Sequence, residues 1–435
     1  MQKVLMISYA FPPVNLPSAQ RPYCFAKHLG ASNIYTTILC AKNPDSVYGV
    51  NSVCDEIDNV SIIRTFNLSL KWFRKTKNKI NLSTVYDKKG FNLKFNNVLL
   101  KFLERFVFPD KGILWALSAI IVGIRILIKN KNYTIFSTSP LISNHIIAYI
   151  LKKTFSVVWI ADFRDFYFAY HLDRKEKGFM SFLNKLLEKK IIQEADHVVF
   201  ISNTMLDLYS KYYPSFRNKF TSIYNGFDYN LYLTQKTPCS LNNKMTILYA
   251  GSFYNGERNP FPLLNTLEKM VNDKLINTSE FVVDIYGSIE GNLADKIKNL
   301  SISKSIKING IIERNEVYKR FEKADILWLI VGNSVYHSAG IPLKLFDYLI
   351  FRKFIWAFFP EESEIKSLFY ELGIGEGFTP TNEADYVEKI MKYFRLFRSG
   401  GNFFPEEIPP DRLKKYSRQH QANQLKSLIE KLHSE

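Results

Sequence analysis

Short apolar runs alternate with longer stretches of helical periodicity along this chain, and the alternation runs through once and then starts again. The first set is Val4–Ser8, Thr36–Cys40, Ser61–Thr65, Thr134–Ser137, Val157–Ala161, Val198–Ile201 and Thr221–Tyr224. The second is Thr246–Tyr249, Phe281–Tyr286, Ser305–Asn309, Ile326–Val331 and Phe354–Phe358. Strands fed by helices point to parallel sheets, because a parallel neighbour is reached only through a crossover. The fold class is therefore α/β, with two Rossmann-like domains facing a cleft. The break falls near Asn225-Gly226-Phe227-Asp228, followed by a linker rich in Asn, Thr and Pro. The expected bounds are 1–228 for the first domain, 229–245 for the linker, 246–405 for the second domain and 406–435 for a final amphipathic helix. With 435 residues and 46% hydrophobic content, two full cores are affordable and disorder is not indicated.

Charges and glycines gather where these strands end. Trp159-Ile160-Ala161 runs into Asp162-Phe163-Arg164-Asp165. Three charges at the C-terminal end of a core strand either face a ligand or cap the sheet as a salt bridge. In the first case Asp162 or Asp165 orients or deprotonates an acceptor hydroxyl, and Arg164 meets a phosphate or an anionic acceptor. His145 and His171 are secondary candidates whose simpler reading is an ordinary helix or loop histidine. After Thr246–Tyr249, a turn from Gly251 to Arg258 lets the backbone approach a diphosphate and offers a guanidinium to its oxygens; the alternative is a surface arginine. Gly287, and Gly310 before Ile311, likewise end strands. The stretch Gly340-Ile341-Pro342-Leu343-Lys344-Leu345-Phe346-Asp347 reads as a helix start. Its open N–H groups and positive dipole attract phosphate, and Lys344 adds a full charge. Asp347 lies on the side of Lys344 and takes sugar hydroxyls, or forms an i,i+3 ion pair with it.

The run from Gly340 to Tyr348 resembles the donor-site helix of family 4 glycosyltransferases with the GT-B fold, particularly the bacterial surface-polysaccharide branch, whose pattern is close to G-I-P-x-K-x-F-E-Y. Phe11-Pro12-Pro13 through Ser18 to Arg21, the D-x-R-D of Asp162 to Asp165, Asn225 to Asp228, and the turn carrying Arg258 resemble further motifs of that family in the same order. The resemblance implies transfer of a sugar, with retention, from a nucleotide-diphosphate donor to a glycan acceptor that is lipid-linked. It also implies a C-terminal helix that returns to the first domain. It assigns Gly251, Arg258, Gly287, Ile311, Gly340, Ile341, Pro342, Lys344 and Asp347 to the donor, Ser18, Arg21 and His145 to the acceptor, and Asp162, Arg164 and Asp165 to catalysis. The family's Glu-x7-Glu pair is altered here: the second acid is Asp347 and the first position is Ala339.

A net charge of +17 and a pI near 9.4 predict an anionic partner: nucleic acid, a phosphorylated substrate or an acidic membrane surface. The segment 70–105 favours the membrane, since over Leu70–Lys101 nine basic residues face the single acid Asp87 and are interleaved with Trp72, Phe73, Phe91 and Phe95. Gly112–Ile128 is short for a bilayer span and contains Arg125, which suits a buried or membrane-facing helix. The expected location is the cytoplasm, peripheral on the inner face of the membrane, since the four cysteines form no CxxC pair. No Asp-x-Asp, His/Cys cluster, G-x-G-x-x-G or Walker loop is present, so neither metal nor cofactor is expected and nucleic acid is not the preferred partner. The competing readings are a nucleotide-sugar epimerase of GT-B fold and a non-catalytic protein that binds glycan or nucleic acid.

Overall fold

The computed structural model describes residues 2–14, 16–42, 57–68, 107–167, 178–235, 243–254, 256–401 and 408–434. The segment 70–105 and His171 lie outside these. The chain forms two compact units, one of Met1–Phe200, Tyr212–Thr221 and Ala422–Glu435, the other of Ile201–Lys211 and Ser222–Gln421.

The first unit holds a seven-stranded parallel sheet built from β1 (Lys3–Ile7), β2 (Tyr35–Ala41), β3 (Val60–Thr65), β4 (Tyr133–Thr138), β5 (Trp159–Phe163), β6 (His197–Phe200) and β7 (Phe220–Ser222). Their order is β3-β2-β1-β4-β5-β6-β7. Lys3 lies against Tyr35 on one side and Tyr133 on the other, so the strand order reverses between β1 and β4. Ligands of such sheets bind beyond the carboxyl ends of the strands at this reversal. Right-handed crossovers place the helix Pro17–Ala31 on one face and the helices Ile113–Lys129, Ser143–Phe155 and Phe179–Glu194 on the other. The first two of that layer interlock closely: a Cβ on Gly123 would stand 2.6 Å from Leu151. The last part of the helix Arg418–Ser434 groups with this unit, where His433 Nε2 is 2.7 Å from Thr134 Oγ1.

The second unit repeats the plan with β8 (Met245–Ala250), β9 (Phe281–Tyr286), β10 (Ile306–Gly310), β11 (Ile326–Ile330), β12 (Phe354–Phe358) and β13 (Gly375–Phe378), ordered β10-β9-β8-β11-β12-β13. Here the reversal lies between β8 and β11. Trp328, Trp356 and Tyr249 are wholly buried in its core.

Two details depart from the sequence expectation. β13 is absent from it because Gly375-Glu376-Gly377 looks like a turn; the glycine is required because a Cβ at 375 would stand 1.9 Å from the Ile355 carbonyl oxygen. The expected linker contains a helix, Tyr229–Thr234, capped by Asp228, whose carboxylate accepts from Leu231 N–H at 3.1 Å. The first helix starts at Pro17, and Pro22 sits inside it. Proline has no N–H, so the carbonyl of Ser18 loses its helical donor. Arg164 Nη1 donates to that oxygen at 2.7 Å.

Candidate functional site

The loops that follow β8, β9 and β10 stack backbone on backbone. Gly251 N–H donates to Tyr286 O and Gly287 N–H to Gly310 O, both at 2.8 Å. Gly251 has φ +143° and Gly287 +129°, and a Cβ on Gly287 would lie 2.2 Å from the Gly251 oxygen, so a side chain fits at neither. Over this layer comes Lys344, from the helix Leu343–Ile350. Its Nζ would be 2.6 Å from a Cβ on Gly251 and stands 4.2 Å from the centroid of the Tyr249 ring. Lys344 Nζ is buried and has no hydrogen-bond partner. A cation–π contact offers about 0.5–2 kcal/mol, whereas removing an ammonium from water costs several. Burial therefore wins, and with the repulsion of Arg258 it holds the amine well below the ordinary lysine range.

Arg258 closes the other side of the turn. Its guanidinium stacks 4.5 Å from the Tyr254 ring centroid, Nη1 reaches Ser252 O at 3.4 Å, and buried Nε has no partner. Neither Arg258 nor Lys344 has an acidic partner among the described residues. Two basic side chains brought together over glycine backbone, with no acidic partner among the described residues, are an arrangement that favours an anion.

The ion pair between Lys344 and Asp347 is not made. Asp347 Oδ1 instead accepts from Arg314 Nη2 at 2.9 Å and Tyr318 OH at 3.0 Å, while Arg314 Nε donates to Tyr318 OH at 2.8 Å. Both bonds to the carboxylate land on one oxygen. Pro342 is the residue before the first helical turn, one position earlier than expected, and Leu345 N–H already bonds its carbonyl at 2.9 Å. At Gly340 a Cβ would meet only Ile201 Cδ1 among the described residues, at 3.9 Å. Ile341 is buried and Ile311 is exposed. Ala339, where the resembling family has its first glutamate, is buried and its carbonyl accepts from Ser202 Oγ.

In the first unit the expected residues converge beyond β4 and β5, but they largely satisfy one another. Asp162 belongs to β5 itself, in register with Thr138 and Val199, and is wholly buried. Arg21 grips it with Nε and Nη2, at 2.9 Å from Nη2 to Oδ1, and Thr138 Oγ1 donates at 2.6 Å. The Arg164 guanidinium holds the carbonyls of Ser18 and Pro17, and its backbone N–H donates to Ser139 Oγ at 2.7 Å. Burial lowers its pKa against the opposing charges of Asp165 and Asp162. His145 is wholly buried, stacked on Phe163 and bonded through Nδ1 to Ser137 Oγ at 2.8 Å. Burial pulls its pKa down to about 4, so it is neutral at physiological pH. Arg21, Arg164 and His145 thus build the wall of this region, and Asp165, half-buried, is the least enclosed acid of the D-x-R-D stretch. Sequence reasoning missed Tyr249, Arg314 and Tyr318. The i,i+4 spacing of Arg314 and Tyr318 at the start of the helix Arg314–Lys323 is a usable signal for that pair.

No protein-family model matches the chain, and no curated protein matches it. Solved structures do match. Sucrose-phosphate synthase from Thermosynechococcus elongatus is similar over 100% of this chain and 100% of its own, with a TM-score of 0.64 and 12% identity. HepE of Anabaena, solved in complex with UDP and glucose, is similar over 99% of this chain and 100% of its own, with a TM-score of 0.61 and 10% identity. WaaG, a glycosyltransferase involved in lipopolysaccharide biosynthesis, covers 97% of this chain and 94% of its own, with a TM-score of 0.54 and 10% identity. These likenesses, spanning both sheets, establish that the chain has the two-domain α/β fold of the GT-B type.

Proposed function

We propose that this protein is a retaining glycosyltransferase of the family 4, surface-polysaccharide type, moving a sugar from a nucleotide-diphosphate donor to a lipid-linked glycan acceptor at a bacterial membrane. The observation that carries this reading is the pair Lys344 and Arg258, two basic side chains with no acidic partner among the described residues, beside the backbone of Gly251. A diphosphate between them would supply the missing anion. When the bond from the anomeric carbon to the diphosphate breaks, negative charge builds on the leaving group and these cations stabilise it, which removes the need for a metal ion in that role. The acceptor oxygen forms the new bond to the anomeric carbon and passes its proton to a phosphate oxygen of the departing nucleoside diphosphate, with Asp165 orienting the hydroxyl. HepE, with the same fold, binds UDP and glucose, which supports a nucleotide sugar as the ligand class. Asp347, fixed by Arg314 and Tyr318, offers its second oxygen to donor hydroxyls.

Thermal unfolding in EDTA with a panel of nucleoside diphosphates and nucleotide sugars tests the reading. One base should raise the melting temperature, by the stabilisation any ligand selective for the folded state confers. No shift with any member of the panel would overturn it.

A further inference from the structure

The helix layer Ile113–Lys129, Ser143–Phe155 and Phe179–Glu194 in the first unit has no role in the chemistry above, and its outer side is unusual. Along the first helix Leu117, Ile121 and Ile128 are exposed, the outer two by 70% and 67%. With Arg125 they form one ridge at i, i+4, i+8 and i+11. Along the third helix Phe179, Phe182 and Leu186 form a second ridge at i, i+3 and i+7, with Phe179 exposed by 72% and Phe182 by 56%. Met180 is exposed beside them. The middle helix joins the two: Leu151 packs on the first, Lys153 pairs with Glu194 of the third at 2.6 Å, and Ile146, Tyr149 and Ile150 are half-buried between the ridges. Single exposed apolar residues are ordinary, but two ridges of large ones on a single layer are not.

The charges on this face choose its occupant. Every exposed charged residue of the two outer helices is basic: Arg125, Lys129, Lys185, Lys189 and Lys190. Their two acids are withdrawn, Glu188 being buried under Tyr213 OH at 2.9 Å and Glu194 held by Lys153 and Lys190. No helix among the described residues is long and apolar enough to cross a membrane. A helix of 17 residues is about 26 Å long and would lie along a bilayer surface with its ridge among the acyl chains and its lysines at the headgroups. We propose that this face docks on an anionic lipid surface, with the apolar ridges inserted and the basic residues on the headgroup phosphates. The inference deepens the proposal of a lipid-linked acceptor and gives it a place on the protein. It takes the membrane-facing option that the sequence left open for Gly112–Ile128, adds the helix Phe179–Glu194 to it, and stands beside the expectation for the segment 70–105.

Flotation of the full chain with vesicles of phosphatidylcholine alone, or with about 30% phosphatidylglycerol, is the test. Binding should require the anionic lipid and weaken as salt rises. Leu117→Glu with Ile121→Glu, and separately Phe179→Ser with Phe182→Ser, should each lower partitioning at least about tenfold, since these side chains are the ones inserted. Leu233→Glu, an exposed residue of the second unit, should not change it. Each variant's stabilisation by the nucleotide panel should be unchanged, which separates this inference from the donor-site proposal. Wild type that ignores anionic vesicles, or ridge variants that bind them like wild type, would overturn the inference. So would ridge variants that convert a dimer into a monomer without changing lipid binding, because the face would then be a contact between copies.

Discussion

Lys344→Met is expected to make the protein more stable and to remove its nucleoside diphosphate binding. Lys344 Nζ is buried without a hydrogen bond, next to a second basic group, and burial of such an ammonium costs several kcal/mol, part of which its lowered pKa relieves. Methionine fills a similar volume over the Tyr249 ring without that cost. For a domain of this size each kcal/mol shifts the melting temperature by roughly 2–4 °C. The same change removes a charge-assisted contact to phosphate, about 1.5–3 kcal/mol, or roughly a 10–150-fold loss of affinity. A gain in stability coupled to a loss of binding is the mark of a residue kept for its ligand. If Lys344→Met instead destabilises the protein and binds as before, Lys344 is a packing residue and the donor site lies elsewhere.

Asp162→Ala and Asp165→Asn are expected to fail in opposite ways. Removing Asp162 takes away the carboxylate that the buried Arg21 guanidinium grips, which should destabilise the first unit by about 3–5 kcal/mol. Asp165 is half-buried, and its isosteric amide should shift stability by no more than about 1 kcal/mol while lowering turnover roughly 10²–10⁴-fold. Denaturant melts and nucleoside diphosphate release, measured on both variants, separate the roles. A stable but inactive Asp162→Ala would reverse the assignment and make the buried acid the catalytic one.

The parts of this molecule that were legible in the sequence are those fixed by local pattern. Both sheets follow from the recurrence of apolar runs, and the phosphate logic follows from Gly251, Arg258 and Lys344 standing just beyond strand ends. What stayed hidden depends on pairings far apart in the chain. Arg21 and Asp162 are 141 residues apart, so nothing local shows that the first is already engaged by the second. Asp347 and Arg314 are 33 apart, and the nearer partner Lys344 suggested a pair that does not form. The contact of Arg164 with Ser18 follows from a gap that Pro22 opens in a helix, an effect of one residue on another's carbonyl four positions back. β13 was hidden by two glycines, Gly375 required by the backbone of Ile355 on the neighbouring strand and Gly377 by the side chains of Phe359 and Tyr370.

The most direct test of the diphosphate site is titration calorimetry of wild-type protein in EDTA, with nucleoside diphosphate and monophosphate, at a series of pH values and in two buffers of different ionisation enthalpy. Lys344 has a lowered pKa in the free protein, and a bound dianion raises it again, so binding takes up a proton between the two values and weakens as pH rises through that window. The account predicts that the diphosphate binds at least about tenfold more tightly than the monophosphate, with an apparent enthalpy that changes with the buffer. No binding of any nucleoside diphosphate, or equal binding of mono- and diphosphate with no proton uptake, would contradict it.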